Sequence, residues 1–460
     1  VMDGEAIYLE KGGPVMKRLA YLLLACGIAA SSVAMATVIH VPEEYPTIQA
    51  GIDAANEGDT VLVNDGTYYE NIAFRGENIY LTSVSGPEAT VIDGSDVGSV
   101  FRLTTNEDKT TVIDGFTITH GRNNLGGGFY IYGAHPKIIN NIISDNYAYE
   151  YGGGIHVEYG GITVRYNVFY RNRCPSNLGG PAIHVISSDV HIYKNLFTDQ
   201  NGPADIFIRF GSKGSVINNT LSNSWHGISS HDYSPIFCQN NIVTEMSNVA
   251  YRAGDGGYLY CSYNCAWSND VNYEGCDPGE GALFANPLFV GGYPFDYHLQ
   301  ENSPCIDAGD PDSPFDPDGT RADMGAYYFH QTLPELTVTP DATVVERGGS
   351  LGYTVEVVNV TDEDKTFEYW SDLYLWTGDP YGKNPVFGPR KVMVKAGRTR
   401  SGHLDHTVPG NAPLETFTLC GRIGTHPGGV WSEDCFEFTV VEPTGSALVG
   451  ADWEVIEHTF

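Results

Sequence analysis

Six short segments between Asp114 and Thr244 are near copies of one another, and that repetition limits what the chain can fold into. They are Asp114-Gly-Phe-Thr-Ile118, Asn140-Asn-Ile-Ile-Ser144, Tyr166-Asn-Val-Phe-Tyr170, Lys194-Asn-Leu-Phe-Thr198, Asn218-Asn-Thr-Leu-Ser222 and Asn240-Asn-Ile-Val-Thr244. Aligned on their second residues (Gly115, Asn141, Asn167, Asn195, Asn219, Asn241) they step by 26, 26, 28, 24 and 22 residues. Between these anchors runs a second phrase: Gly126-Gly-Gly-Phe-Tyr-Ile131, Gly152-Gly-Gly-Ile-His-Val157, Gly179-Gly-Pro-Ala-Ile-His-Val185 and Gly202-Pro-Ala-Asp-Ile-Phe-Ile208. Self-similarity at such a period marks a solenoid. Each unit holds short strands with apolar residues at every second position. One unit cannot bury that face alone, whereas stacked coils bury it against each other with parallel strands paired along the axis. The repeated Asn suits a tight left-handed bend, and its amide can bond to the coils above and below. The predicted fold is all-β: a right-handed parallel β-helix solenoid followed by a small β-sandwich.

The repeat resembles that of the pectate-lyase-like superfamily, specifically bacterial secreted proteins with a right-handed β-helix region. The stretch TIQAGIDAANEGDTVLVNDGTYYENI, with helical spacing over Ala50–Asn56 and a strand at Thr60–Val63, is similar to the N-terminal cap of such solenoids. An uncapped coil exposes core and strand edges, so a cap is physically needed. Asn286-Pro-Leu-Phe289, Ser303-Pro-Cys-Ile-Asp-Ala-Gly-Asp310 and Asp318–Ala326 resemble the terminal segment of secreted β-helix proteins, which implies closure of the C-terminal end. Leu333-Pro-Glu335 reads as a linker. Alternating runs then appear, among them Gly352–Val358, Lys391–Lys395, Thr416–Cys420 and Cys435–Val441. Their spacing predicts an immunoglobulin-like sandwich over 336–442. The resulting division is 1–36, upstream read-through plus signal peptide; 37–330, solenoid with its cap; 336–442, sandwich; and 443–460, a tail that reads as truncated.

The signal expectation rests on Met16-Lys-Arg, the apolar run after it and the cleavage site Ala34-Met-Ala36, which put the mature start at Thr37 and the protein outside the cell or on its surface. No other stretch is apolar enough to span a bilayer, so no transmembrane helix is expected once the signal is removed. With 57 acidic and 25 basic residues the net charge is -32, which argues against nucleic acid as a partner and repels polyanionic polysaccharides unless calcium or a basic groove intervenes. Eight cysteines follow the signal, and an even count in an exported chain favours disulfides. Cys420 with Cys435 is the first expected pair and Cys265 with Cys276 the next.

If Ile155, Val157, Ile183, Val185, Ile206 and Ile208 face the core, alternation turns their neighbours outward. The outward columns then hold Tyr130, His156, His184 and Phe207, and Tyr132, Glu158, Ile186 and Arg209, with Asp205 beside them. Tyr130, Tyr132 and Phe207 suit sugar stacking. His156 or His184 with Glu158 or Asp205 offers an acid/base pair, and Arg209 can hold a uronate carboxylate. Residues His226, His231 and Asp232 lack metal spacing and read as a loop. Asp316, Asp318 and Asp323 resemble part of a calcium loop, Ca²⁺ being the one cofactor the sequence suggests; the competing reading is a set of Asp-capped turns.

The chain departs from the resemblance where chemistry is concerned. It has no pectinesterase-type Asp pair with Gln, no Gly-His-Gly with clustered Asp, no Asp-Pro-His-Glu, and no clear Asp trio with Arg. Three functions stay open. One is a secreted or surface β-helix protein that binds polysaccharide or cell-surface glycan, or adheres, without catalysis. Another is a polysaccharide lyase or glycoside hydrolase working on the exposed sheet. The last is a purely structural surface protein. A groove with a carboxylate near a His, walled by the long loop Arg171–Gly180, would favour the enzyme.

Overall fold

The computed structural model of the protein describes residues 36–177, 179–291, 296–427, 429–444 and 453–458. The expected signal segment, Ala36 excepted, and most of the tail lie outside these residues.

The chain is a right-handed β-helix protein. Its solenoid is built from three parallel sheets of ten, nine and nine strands, here called A, B and C. Each coil visits them in the same order, as in Lys137–Ile139 (A), Ile142–Ser144 (B) and Ile155–Glu158 (C), before sheet A resumes at Gly161–Arg165. Like side chains stack on like because successive coils are in register. Ile155 lies over Ile183 and Ile183 over Ile206. Phe101 stacks on Phe129 at 4.9 Å, and Phe169 on Phe197 at 4.6 Å. One continuous core results, each fully buried aliphatic contributing roughly 1.5–3 kcal/mol. The inward assignment of Ile155, Val157, Ile183, Val185, Ile206 and Ile208 is correct, for all six are fully buried.

The Asn ladder runs along the bend between sheets A and B. Asn141, Asn167, Asn195, Asn219 and Asn241 each donate from Nδ2 to the Oδ1 of the Asn in the next coil, and Asn264 ends the row. The left-handed residue is not the ladder Asn itself, as the sequence suggested. It is the residue before it: Asn140 (φ 54), Tyr166 (58), Lys194 (55), Asn218 (52), Asn240 (56) and Tyr263 (50). One left-handed residue turns the corner with its side chain outside. The next residue then points into the bend, where its amide satisfies backbone groups that the corner would strand.

The cap helix spans Ile48–Ala54, a little earlier than its apolar spacing indicated. The Thr47 hydroxyl accepts from Ala50 N at 3.1 Å, and the Glu70 carboxylate accepts from the Ile48 and Gln49 amides. This anchoring satisfies donors a helix start leaves open. Ile48 and Ile52 join the solenoid core and cover its first coil.

The segment after the last coil does more than close an end. Leu283 first bridges to Cys265 as an added rung of sheet B. The chain then doubles back along the outer face of that sheet. Leu299, Cys305 and Met324 form a small separate core with Ile242 and Cys265. Asn218 Nδ2 donates to Asp323 O at 2.7 Å, and Ala326 N to Thr220 Oγ1 at 3.0 Å.

The C-terminal region packs a four-stranded against a five-stranded sheet around Tyr353, Tyr369, Phe417 and Phe438. Cys420 and Cys435 face each other on neighbouring strands and are joined as a disulfide. The strand Thr399–Thr407 escaped the sequence pattern because its buried positions are Gly402, Leu404 and His406, only one of them aliphatic.

Candidate functional site

The outward column of sheet C is a spine of stacked rings. Tyr130, His156, His184 and Phe207 lie in register, with ring centroids 6.0, 5.3 and 5.7 Å apart, and His231 continues the stack 4.8 Å beyond Phe207. Alternation placed these residues on the outer face, but the expected solvated surface is absent. His156 and His184 have no exposed area. Tyr151 stacks on His184 at 4.5 Å, and the Gly-rich turns close over the column, a Cβ on Gly152 coming within 2.7 Å of the His156 Cβ. The two imidazoles share an Nδ1···Nδ1 contact of 3.2 Å. Burial lowers His156 to about 4, so it is neutral at pH 7. Glu158, whose side chain is partly exposed, lies 3.7 Å from His156 Nε2, while the imidazole itself is fully buried. Arg209 is tied to Asp232 at 2.8 Å, and Tyr132 is exposed against the edge of Tyr159.

The cover ends where the coils shorten. Two long coils carry an additional pair of strands, Arg122–Leu125 and Tyr147–Tyr151, beside sheet C. The next coil carries the loop through Pro175. The later coils, stepping by 24 and 22 residues, have only tight turns there. They leave an open cleft of about 970 Å³ beside the Phe207 end of the spine. Its floor holds Phe207, His231 and Arg252, its wall is the turns around Gln200, Trp225 and Glu245, and Pro175 and Asn177 of the long loop close one end.

Trp225 is 51% exposed and stands edge-on to His226. His226 Nδ1 accepts from the Val249 amide at 3.1 Å, which leaves the proton on Nε2. Burial, and then the nearby Arg252 charge, lower it to about 4. His231 Nδ1 sits 3.3 Å from the Asp255 carboxylate, but burial still lowers it. Arg252 Nε binds Glu274 at 3.1 Å, and Glu245 accepts from Ser222 Oγ at 3.1 Å. Asp205 is buried and does not line the cleft; its amide donates to His226 O, and complete burial drives its carboxyl well above the usual range. Of the cleft residues the sequence singled out Phe207 as a ligand contact. It missed Trp225, Glu245, Arg252 and Asp255, and read His226 and His231 as loop residues. The signal available was coil length, since a shorter coil has no chain left to cover its outer face.

Asp316, Asp318 and Asp323 act as capping residues in the structure, the arrangement that the competing reading of Asp-capped turns describes. Asp316 Oδ2 accepts from the Asp323 amide and Asp318 from Thr320 and Gln331. Asp323 accepts from the amides of Asp307 and Phe329. Their oxygens face different backbone donors, and among the described residues the three are not one of the groups whose ligand atoms all lie within 4.8 Å of one another. Burial raises Asp316 to about 6 and Asp323 to about 7. A carboxyl raised in this way is protonated more readily in the folded than in the unfolded chain. Its stabilising contribution is full below about pH 4, declines above that, and is gone beyond about pH 7. Asp323→Asn is therefore expected to gain on the wild type between pH 5 and pH 8, read as the difference in melting temperature. Parallel melting across that range would sink this coupling.

The family described as "Right handed beta helix region" matches residues 153–284, less than half of the chain. A search of curated proteins found no match. Among solved structures, the crystal structure of Spo0M, a sporulation control protein from Bacillus subtilis, is similar at 13% identity. The similarity covers 25% of this chain and 51% of that one, with a TM-score of 0.20. The chain thus spans about half the length of that protein, and a likeness so slight carries no argument. The class that the fold defines is the right-handed β-helix protein.

Proposed function

We propose that the protein binds a neutral polysaccharide or cell-surface glycan in the cleft beside the ring spine. The observation that carries this reading is Trp225. A half-exposed indole on the wall of an open groove, flanked by the amides of Asn177, Asn201 and Asn223 and the hydroxyl of Ser247, offers a sugar both a stacking face and hydrogen bonds. Charge favours a neutral ligand. His226 and His231 are held toward the neutral form, Arg252 is engaged by Glu274, and Glu245 and Asp255 add carboxylates to a chain of net charge -32. A uronate polymer would meet repulsion there. The reading includes export through the signal segment and a C-terminal sandwich of immunoglobulin-like type serving as an appendage.

Affinity electrophoresis or calorimetry on a panel of neutral and acidic polysaccharides tests it. Trp225→Ala is expected to weaken binding at least about tenfold, which corresponds to about 1.4 kcal/mol. Binding that survives this change, or that is confined to pectate-like polymers, overturns the reading. Binding should also be level from pH 6 to pH 8 and fall as the pH drops toward about 4, where His226 gains a proton.

A second reading, cleavage of the bound glycan, is favoured by one contact: the His231 imidazole 3.3 Å from Asp255 in the same cleft. Such a pair suits proton transfer at a glycosidic or ring carbon. New reducing ends or unsaturated products, lost in His231→Ala while binding persists, would establish it.

A further inference from the structure

Five thiols gather at the C-terminal end of the solenoid: Cys238, Cys261, Cys265, Cys276 and Cys305. They sort into two groups. Cys265, on the outer face of sheet B, and Cys305, on the segment that doubles back, are fully buried in one small core and hydrogen-bonded to each other. Cys261 lies between Cys238 on the preceding strand and Cys276 beyond the last strand of sheet C, and hydrogen-bonds to both. The pair Cys265–Cys276 expected from sequence is not formed, because these two residues fall in different groups on opposite sides of the wall.

We propose that Cys265 with Cys305, and Cys261 with Cys276, become disulfides in the oxidised protein and fasten the chain beyond the last coil onto the solenoid. The choice of Cys276 over Cys238 as partner of Cys261 follows from geometry. Cys238 and Cys261 are register neighbours on parallel strands. Their separation is set by the sheet at about 4.8 Å, longer than the roughly 3.5–4.5 Å between Cβ atoms that a disulfide needs. Cys276 follows Gly275, a left-handed residue (φ 72) at the end of its strand, and is free of that register. The links close loops of 40 and 15 residues, counted as 305 minus 265 and 276 minus 261.

Chemically, each link forms when one thiolate attacks oxidised glutathione, releasing one glutathione thiolate, and the second thiol attacks the resulting mixed disulfide and releases the other. Two cysteine thiols lose two electrons and two protons, and the glutathione disulfide is reduced to two thiols. The hydrogen bond from Cys305 lowers the Cys265 thiol, which favours it as the attacking group. Cys174 stands apart, its thiol bonded to Glu150 O at 3.0 Å and pushed up to about 11 by burial, and stays reduced.

The test is disulfide mapping of the full chain after refolding in a glutathione buffer. Free thiols are alkylated in denaturant, and the unreduced chain is cut with a protease that cleaves after Tyr263, separating Cys261 from Cys265. Linked peptides joining 265 to 305 and 261 to 276, with Cys174 and Cys238 alkylated, are the expected result. Cys305→Ser should leave Cys265 alkylated and the Cys261–Cys276 link intact. Linkage of 238 to 261 or of 265 to 276, or alkylation of all five residues, overturns the proposal.

Discussion

Asn141→Ala is expected to destabilise the solenoid by roughly 3–5 kcal/mol, whereas Asn140→Gly, one residue away, costs less than about 1 kcal/mol. The two are adjacent in an Asn-Asn pair and do opposite jobs. Asn141 is 1% exposed and makes bonds in both directions along the stack. Its Oδ1 accepts from Phe116 N at 2.9 Å, and its Nδ2 donates to Ile139 O, Ile113 O and Asn167 Oδ1. An alanine there strands the Phe116 amide in a dry bend and removes a donor from two carbonyls. Each stranded buried group costs about 1–3 kcal/mol. Asn140 is exposed, holds φ 54 and donates to Asp114. Glycine takes that backbone without strain, so only an exposed hydrogen bond is lost. Denaturant midpoints followed by circular dichroism compare the two variants. Equal losses would mean that the bend, not the ladder, sets the stability.

The ladder and the inward columns were legible because stacking repeats them, and a repeated residue is a repeated constraint. Asn264 was lost from view because its phrase, Tyr263-Asn-Cys-Ala-Trp267, sits in a cysteine-rich stretch that masks the rhythm. The outer face was half legible. Alternation assigns a side chain to a face but says nothing of what lies over that face, so His156 and His184 passed for surface residues. Their cover comes from Tyr151 and from glycine turns whose course depends on coil length. The cleft was least legible, because its lining is contributed by the turns of three coils and a distant loop, at positions with no common motif. The terminal segment shows the same limit. Its Asp residues look like an ion loop in sequence, while several of the backbone amides they cap lie outside that loop, as Asp307 does for Asp323 and Gln331 for Asp318.

The Gly-rich phrase marks the point where sheet C acquires its cover, and Gly153→Ala should cost at least about 3 kcal/mol, the upper end of the overpacking range. The reason is steric, not conformational. A Cβ there would lie 2.6 Å from Pro181 O, 2.7 Å from Arg173 O and 2.8 Å from Arg173 N, all backbone atoms of the next coil. None can swing aside as a side chain would. Gly127, one coil earlier, meets the same obstacle from Gly153 O and both Tyr147 backbone atoms, so the phrase repeats because the close approach repeats. Gly211→Ala supplies the contrast. It has φ 68 and nothing within 4 Å, so alanine there bears only the left-handed penalty of about 1–2 kcal/mol. Melting temperatures rank the two. Histidine titration by NMR then tests what the cover does. With the turn over His156 displaced, its value should climb from about 4 toward the ordinary 6.5. A Gly153→Ala protein that melts like the wild type and leaves His156 at about 4 would show that the glycines are not what seals the ring spine from solvent.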